Sequence, residues 1–232
     1  SAQAINVKRY ASGFRAFTGA EENRFLRGAA ATYRLGSFDI SAFYSSHKTD
    51  ANVTETDSNL APTFVSSLPT TGLHRTENEL ADKDANTLQI MGGNINYKGN
   101  GFSAGLTAVN YQLATTLQPS KRLYQKFNFN GNQLSNFSAD FNYLYRDLNI
   151  YGEVAASDNG AFAQMFGVQT NPSDGFFATM AFRNLDPQYQ AIFNAPFAES
   201  GSYGERGYYL GINWQLNKLM LLKSYVDLYE FR

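Results

Sequence analysis

The sequence predicts an all-β protein, an antiparallel up-and-down transmembrane β-barrel with long loops at one rim, formed as a single domain over residues 1–232. Three observations predict it. Apolar and polar residues alternate with a period of two over stretches of about ten residues, and the apolar row keeps its phase through the turns. The links between these stretches are short and long by turns, as in a barrel with tight turns at one rim and loops at the other. Aromatic residues of the apolar row stand beside the short links, where an interfacial girdle would sit.

In chain order, Ala29, Ala31, Tyr33 and Leu35 lead through Gly36-Ser37 into Phe38, Ile40, Ala42 and Tyr44, with Arg34, Asp39 and Ser41 on the opposite row. Met91, Gly93, Ile95 and Tyr97 then pass through Gly99-Asn100-Gly101 into Phe102, Ala104, Leu106 and Ala108. The clearest pair follows: Phe137, Ala139, Phe141, Tyr143 and Tyr145 alternate with Ser138, Asp140, Asn142, Leu144 and Arg146. After a turn near Asp147, Leu148, Ile150, Gly152, Val154 and Ala156 resume the apolar row against Asn149, Tyr151, Glu153, Ala155 and Ser157. Phe176, Ala178, Met180 and Phe182 follow a turn at Pro172 to Gly175. Tyr208, Leu210, Ile212, Trp214 and Leu216 then turn at Asn217-Lys218 into a strand ending near Tyr229. The pattern predicts about eleven strands, each near the ~9–11 residues that a tilted strand needs to cross a bilayer. Bacterial single-chain barrels carry even numbers, so an odd count implies that part of the barrel lies outside this chain.

The short links fall near Gly36, Gly99, Asp147, Ser173 and Asn217. The long ones run over residues 50–85, 115–133 and 185–206, with briefer ones near Ala20 and Asp158. The girdle candidates are Tyr33, Phe38, Tyr97, Phe102, Tyr145 and Trp214. A soluble β-sandwich is the alternative architecture, but it explains neither the polar inner row nor the alternation of link lengths.

Within the first long link, Thr76-Glu77-Asn78-Glu79 has the form of a capping box and predicts a short helix from about Glu77 to Ala85. Phe64, Val65, Leu68 and Leu73 ahead of it, and Tyr189, Ile192, Phe193, Pro196 and Phe197 in the link after Leu185, are too apolar for bare solvent loops. These loops are expected to fold over or into the barrel mouth, or to contact another envelope protein through 50–85 and 185–205.

Composition sets the outer bounds. No apolar run approaches the ~18–20 residues of a spanning helix, and the negative mean hydropathy does not count against a barrel, whose every second position is polar. No secretory leader is recognisable at the start, which reads as a mature, truncated or internally numbered chain. The absence of cysteine removes disulfide and thiolate scaffolds. A net charge of −1 gives no global pull toward nucleic acid. Lys8, Arg9, Arg15, Arg24 and Arg27 make the N-terminal region basic and are expected as lumen or rim charges.

For catalysis the yield is poor. His47 and His74 have no second His at ligand spacing and are expected as surface or loop histidines. No nucleophile elbow, phosphate loop or dinucleotide glycine pattern adjoins a strand-to-helix junction. Catalytic, cofactor-binding and metal-binding residues are therefore expected to be none. The lumen-facing candidates are Arg27, Arg34, Asp39, Asp140, Arg146, Glu153 and Arg183, whose mixed signs favour internal salt bridges over a strongly ion-selective pore.

Lys8-Arg9-Tyr10-Ala11-Ser12-Gly13-Phe14-Arg15, Glu21-Glu22-Asn23-Arg24-Phe25-Leu26-Arg27-Gly28-Ala29-Ala30, Ser66-Ser67-Leu68-Pro69-Thr70-Thr71-Gly72-Leu73-His74-Arg75-Thr76 and Tyr225-Val226-Asp227-Leu228-Tyr229 resemble segments in the barrel portion of Bacteroidota helix-hairpin-helix (ComEA-like) envelope proteins. The resemblance implies an outer-membrane protein of a Gram-negative bacterium. It also implies nucleic-acid contact, as in DNA uptake, through helix-hairpin-helix repeats; this chain shows no such repeats, so that partner would have to come from residues outside it. The expectation is a non-enzymatic channel or transport component in contact with membrane lipid. The alternatives are a plugged barrel that docks other envelope proteins and a barrel-embedded hydrolase.

Overall fold

A computed structural model describes residues 7, 13–18, 25–59, 61–120, 122, 125–193, 196–199 and 204–232. Lys8, Arg9 and Arg24 of the basic stretch lie outside the described residues. Twelve strands and one short helix follow in chain order: β1 (Gly28–Leu35), β2 (Phe38–Thr49), β3 (Val53–Thr56), β4 (Pro62–Val65), α1 (Glu77–Ala81), β5 (Asn86–Lys98), β6 (Phe102–Leu117), β7 (Gly131–Tyr145), β8 (Leu148–Ser157), β9 (Phe162–Ser173), β10 (Phe176–Leu185), β11 (Glu205–Gln215) and β12 (Leu221–Phe231).

All the strands belong to one sheet, and the main path runs β1-β2-β5-β6-β7-β8-β9-β10-β11-β12. Every pair along that path is antiparallel and joins strands that follow one another up and down, the β3–β4 hairpin alone being set aside. That hairpin belongs to the link between β2 and β5, where β4 adds a two-residue parallel contact to the end of β6. Its two strands raise the count to twelve, whereas the path itself has ten. Among the described residues β1 and β12 are not paired with each other, so the sheet is open and has two free edges.

Link lengths segregate by end as expected. The links at residues 36–37, 99–101, 146–147, 174–175 and 216–220 all lie at one end of the sheet, and those at 50–85, 118–130, 158–161 and 186–204 at the other. The tight reversals demand left-handed backbone, which Gly36 (φ 57°), Gly101 (φ 73°) and Gly175 (φ 81°) supply. In the β7–β8 turn the position falls to Arg146 (φ 52°), whose guanidinium carbon lies 5.4 Å from the centroid of the Tyr145 ring.

Helix α1 starts where the capping box predicts. Glu79 N–H donates to Thr76 Oγ1 at 3.2 Å, and the Glu79 carboxylate accepts from the backbone N–H groups of Arg75 (2.7 Å) and Thr76 (3.2 Å). It ends at Ala81, short of the expected Ala85, because the chain beyond it is held by the start of the same link. Ala51 N–H donates to Asp82 O at 3.0 Å, Val53 N–H to the Asp82 carboxylate at 3.1 Å, and Asp84 N–H to the Asp50 carboxylate at 3.0 Å, with Asp84 itself left-handed (φ 53°).

Two outcomes follow. Arg146→Gly is expected to leave stability unchanged or raise it by up to about 1 kcal/mol, and Arg146→Val to lower it by ~1–2 kcal/mol, read from denaturation midpoints in detergent. The N–H donors of Arg75 and Thr76 hold the Glu79 carboxyl below the usual carboxylate range, the Arg75 backbone N–H first among them. A lowered folded-state value means that the cap contributes fully above about pH 4.3 and is lost as pH falls through the folded value. Amide shifts of residues 77–81 are therefore expected to stay constant from pH 7 to 5 and to move only in stronger acid.

Candidate functional site: the covered face and its rim

Directly opposed residues of antiparallel strands share a face, so the register can be read as rows across the sheet. One row takes a residue from every strand of the path: Arg34, Asp39, Asn96, Gly105, Asp140, Glu153, Met165, Arg183, Gly207 and Tyr229. Five of the sequence-selected residues, Arg34, Asp39, Asp140, Glu153 and Arg183, thus stand in one row, Arg34 beside Asp39 and Asp140 beside Glu153. On the opposite face, Phe102, Tyr143, Ile150, Val168, Met180, Leu210 and Val226 form an unbroken apolar row from β6 to β12.

Exposure separates the two faces in the reverse of the usual order. The apolar face is bare, with Leu106 64% and Met180 62% exposed, whereas on the other face Glu205 is 0% and Arg183 2% exposed. The six girdle aromatics are all exposed. Rings link along the short-turn end from Phe38 to Tyr97 (5.3 Å), Tyr97 to Phe102 (6.4 Å) and Phe102 to Tyr143 (6.5 Å), across β2, β5, β6 and β7.

The covered face has a charged half and an apolar half. In the charged half, the Asp39 carboxylate receives Arg34 Nε at 2.7 Å, Arg34 Nη2 at 3.2 Å and Lys98 Nζ at 2.6 Å. Arg183 is the centre of a second network, donating from Nε to Glu205 (2.5 Å) and from Nη1 and Nη2 to the two Asp227 oxygens (2.9 and 3.1 Å). Its guanidinium also lies 5.3 Å from the Phe197 ring and 5.8 Å from the Tyr229 ring, so one side chain ties β10, β11, β12 and the 186–204 link together. Glycine makes room for these groups. A Cβ at Gly207 would stand 2.8 Å from Arg183 Cζ, and one at Gly105 would stand 2.4 Å from an Asp140 carboxylate oxygen. Asp140 and Glu153 face each other with no cation at ion-pair distance among the described residues.

The remaining two candidates sit elsewhere. Arg146 is in the β7–β8 turn, and Arg27 precedes β1, with its backbone N–H on Ser45 Oγ (2.9 Å) and its guanidinium 4.6 Å from the Phe25 ring. Phe25 in turn stacks on His47 at 5.9 Å. His47 corrects one expectation, being buried rather than superficial: it alternates in phase with Ser45 and Thr49 on the covered row. His74 is in the loop as expected, its Nε2 bonded to the Asp50 carboxylate at 2.9 Å.

The apolar half escaped the sequence reading. Leu88 and Ile90 of β5, Tyr111 and Leu113 of β6 and Leu134 of β7 are buried on the covered face, and Leu68, Phe129, Ile192 and Phe193 from three long links pack on them. The signal was a change of phase: Leu88, Ile90, Tyr111 and Leu113 have the parity of the polar rows in their own strands. The N-terminal segment reaches the same face, with Val7 packed among Ala181, Tyr209, Met165 and Phe197, and Phe14 on Phe43 at 5.9 Å. Among the described residues no group of His, Cys, Asp or Glu could hold a metal ion, and no helix is long and apolar enough to cross a membrane.

Arg183→Ala removes the guanidinium that Glu205 and Asp227 share and is expected to cost about 3–5 kcal/mol, whereas Arg183→Lys, which keeps the charge but loses the fork, costs less. Denaturation midpoints of the two variants check the order. Comparison with protein-family models and with curated protein sequences finds no match.

Proposed function

We propose that this chain is an outer-membrane β-barrel of a Gram-negative envelope whose lumen is filled, on the long-loop side, by its own links. The observation that carries the reading is the inverted exposure: a bare apolar face several strands wide behind one on which Arg183 and Glu205 are buried while Arg34 and Glu153 stay exposed. In water such a face forgoes roughly 1.5–3 kcal/mol for each large side chain left unburied. Against acyl chains the same face is at home, and apolar patches of this extent mark membrane or partner contacts. The girdle rings then lie at headgroup level, and the longer strands exceed the ~9–11 residues a tilted span requires.

Lipid also constrains the two free edges. Each unpaired N–H or C=O in hydrocarbon costs several kcal/mol, so β1 and β12 close on each other or on added strands when the protein is inserted. The proposal extends to kinship with the barrel portion of Bacteroidota helix-hairpin-helix (ComEA-like) envelope proteins, on the four segments that resemble them. It assigns the chain no catalytic step and no nucleic-acid contact. Links 50–85 and 186–204 are the surfaces offered to other envelope proteins.

A conducting channel is the second reading, favoured by the charged half of the covered face, where Glu153 is exposed. The apolar half, with Ile192 and Phe193 packed over Leu88 and Tyr111, weighs toward a plug. Refolded protein is expected to shift its gel mobility on boiling; protein that is folded and soluble without detergent, and does not shift, overturns the membrane reading. In planar bilayers the native chain is expected to be silent and the double variant Ile192→Asp, Phe193→Asp to conduct. Steady conductance from the native chain would favour the open channel. Silence from both would favour a docking role.

A further inference from the structure

The strongest unexplained feature is a cavity of about 250 Å³ at the long-loop rim. Three links and the sheet build it, and among the described residues its lining contains no charged one. Leu68, Leu88, Leu117, Phe129, Ile192 and Phe193 bring apolar and aromatic surface to it. Thr49, Ser67, Thr70, Gln125 and Asn128 bring hydroxyls and amides.

Several of these polar groups are unspent. Among the described residues the side chains of Thr49, Thr70 and Asn128 make no hydrogen bond, and Ser67 Oγ, which accepts Asn52 Nδ2 at 2.6 Å, keeps its own proton to donate. Asn86, the register partner of Thr49, is 2% exposed, and its Nδ2 is without a partner. Burying donors and acceptors unpaired costs about 1–3 kcal/mol each, so a purely apolar occupant would be penalised. Among the described lining residues an anion would meet no cation, and an ammonium group no carboxylate. The volume, about eight water molecules at ~30 Å³ each, admits a single ring of roughly a dozen heavy atoms.

A neutral ligand with one apolar face and several hydroxyls satisfies every one of these conditions. We propose that this cavity binds one neutral sugar ring, its C–H face against Phe129 and Phe193 and its hydroxyls on Thr49, Thr70 and Asn128. The site does not depend on the membrane reading, because its walls are the links and the rim of the sheet.

The test uses the full chain in a detergent without a sugar headgroup, titrated with free glucose, galactose, mannose and N-acetylglucosamine. Saturation-transfer NMR is expected to show binding of at least one of them in the millimolar range. Thr49→Val keeps the side-chain shape, and Asn128→Ala is a small truncation at the surface of the cavity. Each is expected to weaken binding at least tenfold with the thermal transition unchanged. Phe193→Leu is expected to weaken the transfer to the ring C–H protons more than to the exocyclic ones. Two results overturn the proposal: no transfer signal from any of the four sugars, or affinity unaltered in both polar variants.

Discussion

The register of one continuous antiparallel sheet is the constraint on which every other feature of this molecule rests. A slip of one residue in any strand would carry its apolar row to the charged face and its charges to the bare one. The short turns limit such slips, because two to five residues between strands leave few alternative pairings. Side chains add to the restriction at both ends of the strand order. Arg34, Asp39 and Lys98 bind β1, β2 and β5 in phase, and Arg183 with Glu205 and Asp227 does the same for β10, β11 and β12. Irregularities occur at Gln112/Leu117 between β6 and β7 and at Phe176/Ala178 between β9 and β10, both near strand ends, so the central rows stay in step.

With the register set, the covered face divides into charged and apolar zones for a physical reason. Charges stand toward the short turns of β1, β2 and β5, as Arg34, Asp39 and Lys98, and at the long-link ends of β10 and β11, as Arg183 and Glu205 with Asp227 of β12, and they are stable there only when paired or wet. Toward the long links of β5, β6 and β7 the face carries Leu88, Ile90, Tyr111, Leu113 and Leu134, which need apolar partners. The links supply them in Leu68, Phe129, Ile192 and Phe193. The apolar content of the links is therefore explained by the face they cover, and their length by the distance they must reach. The Asp50 carboxylate, bonded to His74 and to Asp84 N–H, ties the largest link to the end of β2. At the opposite side of the strand order, Val7 joins β10 and β11 to a segment whose Phe14 touches β2.

The period-two pattern was enough to locate β1, β2, β5, β6, β7, β8, β10, β11 and β12, the ends at which links are short, and the Thr76–Glu79 cap, whereas the exposed row Phe162, Phe166 and Val168 of β9 went unread and only the turn after it was marked. These depend on residues close in the chain: alternation is local, a turn needs its own glycine, and a capping box closes over four residues. Arg34 with Asp39 was legible as a pair for the same reason, since a two-residue turn places them opposite each other. What escaped was whatever depends on partners far along the chain. Nothing near Arg183 in sequence announces Glu205 and Asp227, and nothing near His47 announces Phe25. The β3–β4 hairpin is held by a contact with β6, and the early end of α1 by Asp50 and Ala51, neither of which a local window contains.

The sequence by itself thus determined an all-β, up-and-down chain with two chemically distinct faces and links graded by end, because alternation and turn chemistry act over a few residues. Only the tertiary structure decided that five charged candidates share one row, that half of the polar face is an apolar seat for the links, and that a neutral cavity remains where three links meet. Those outcomes require residues tens of positions apart to be brought to one place, which local spacing does not encode and cross-strand register does.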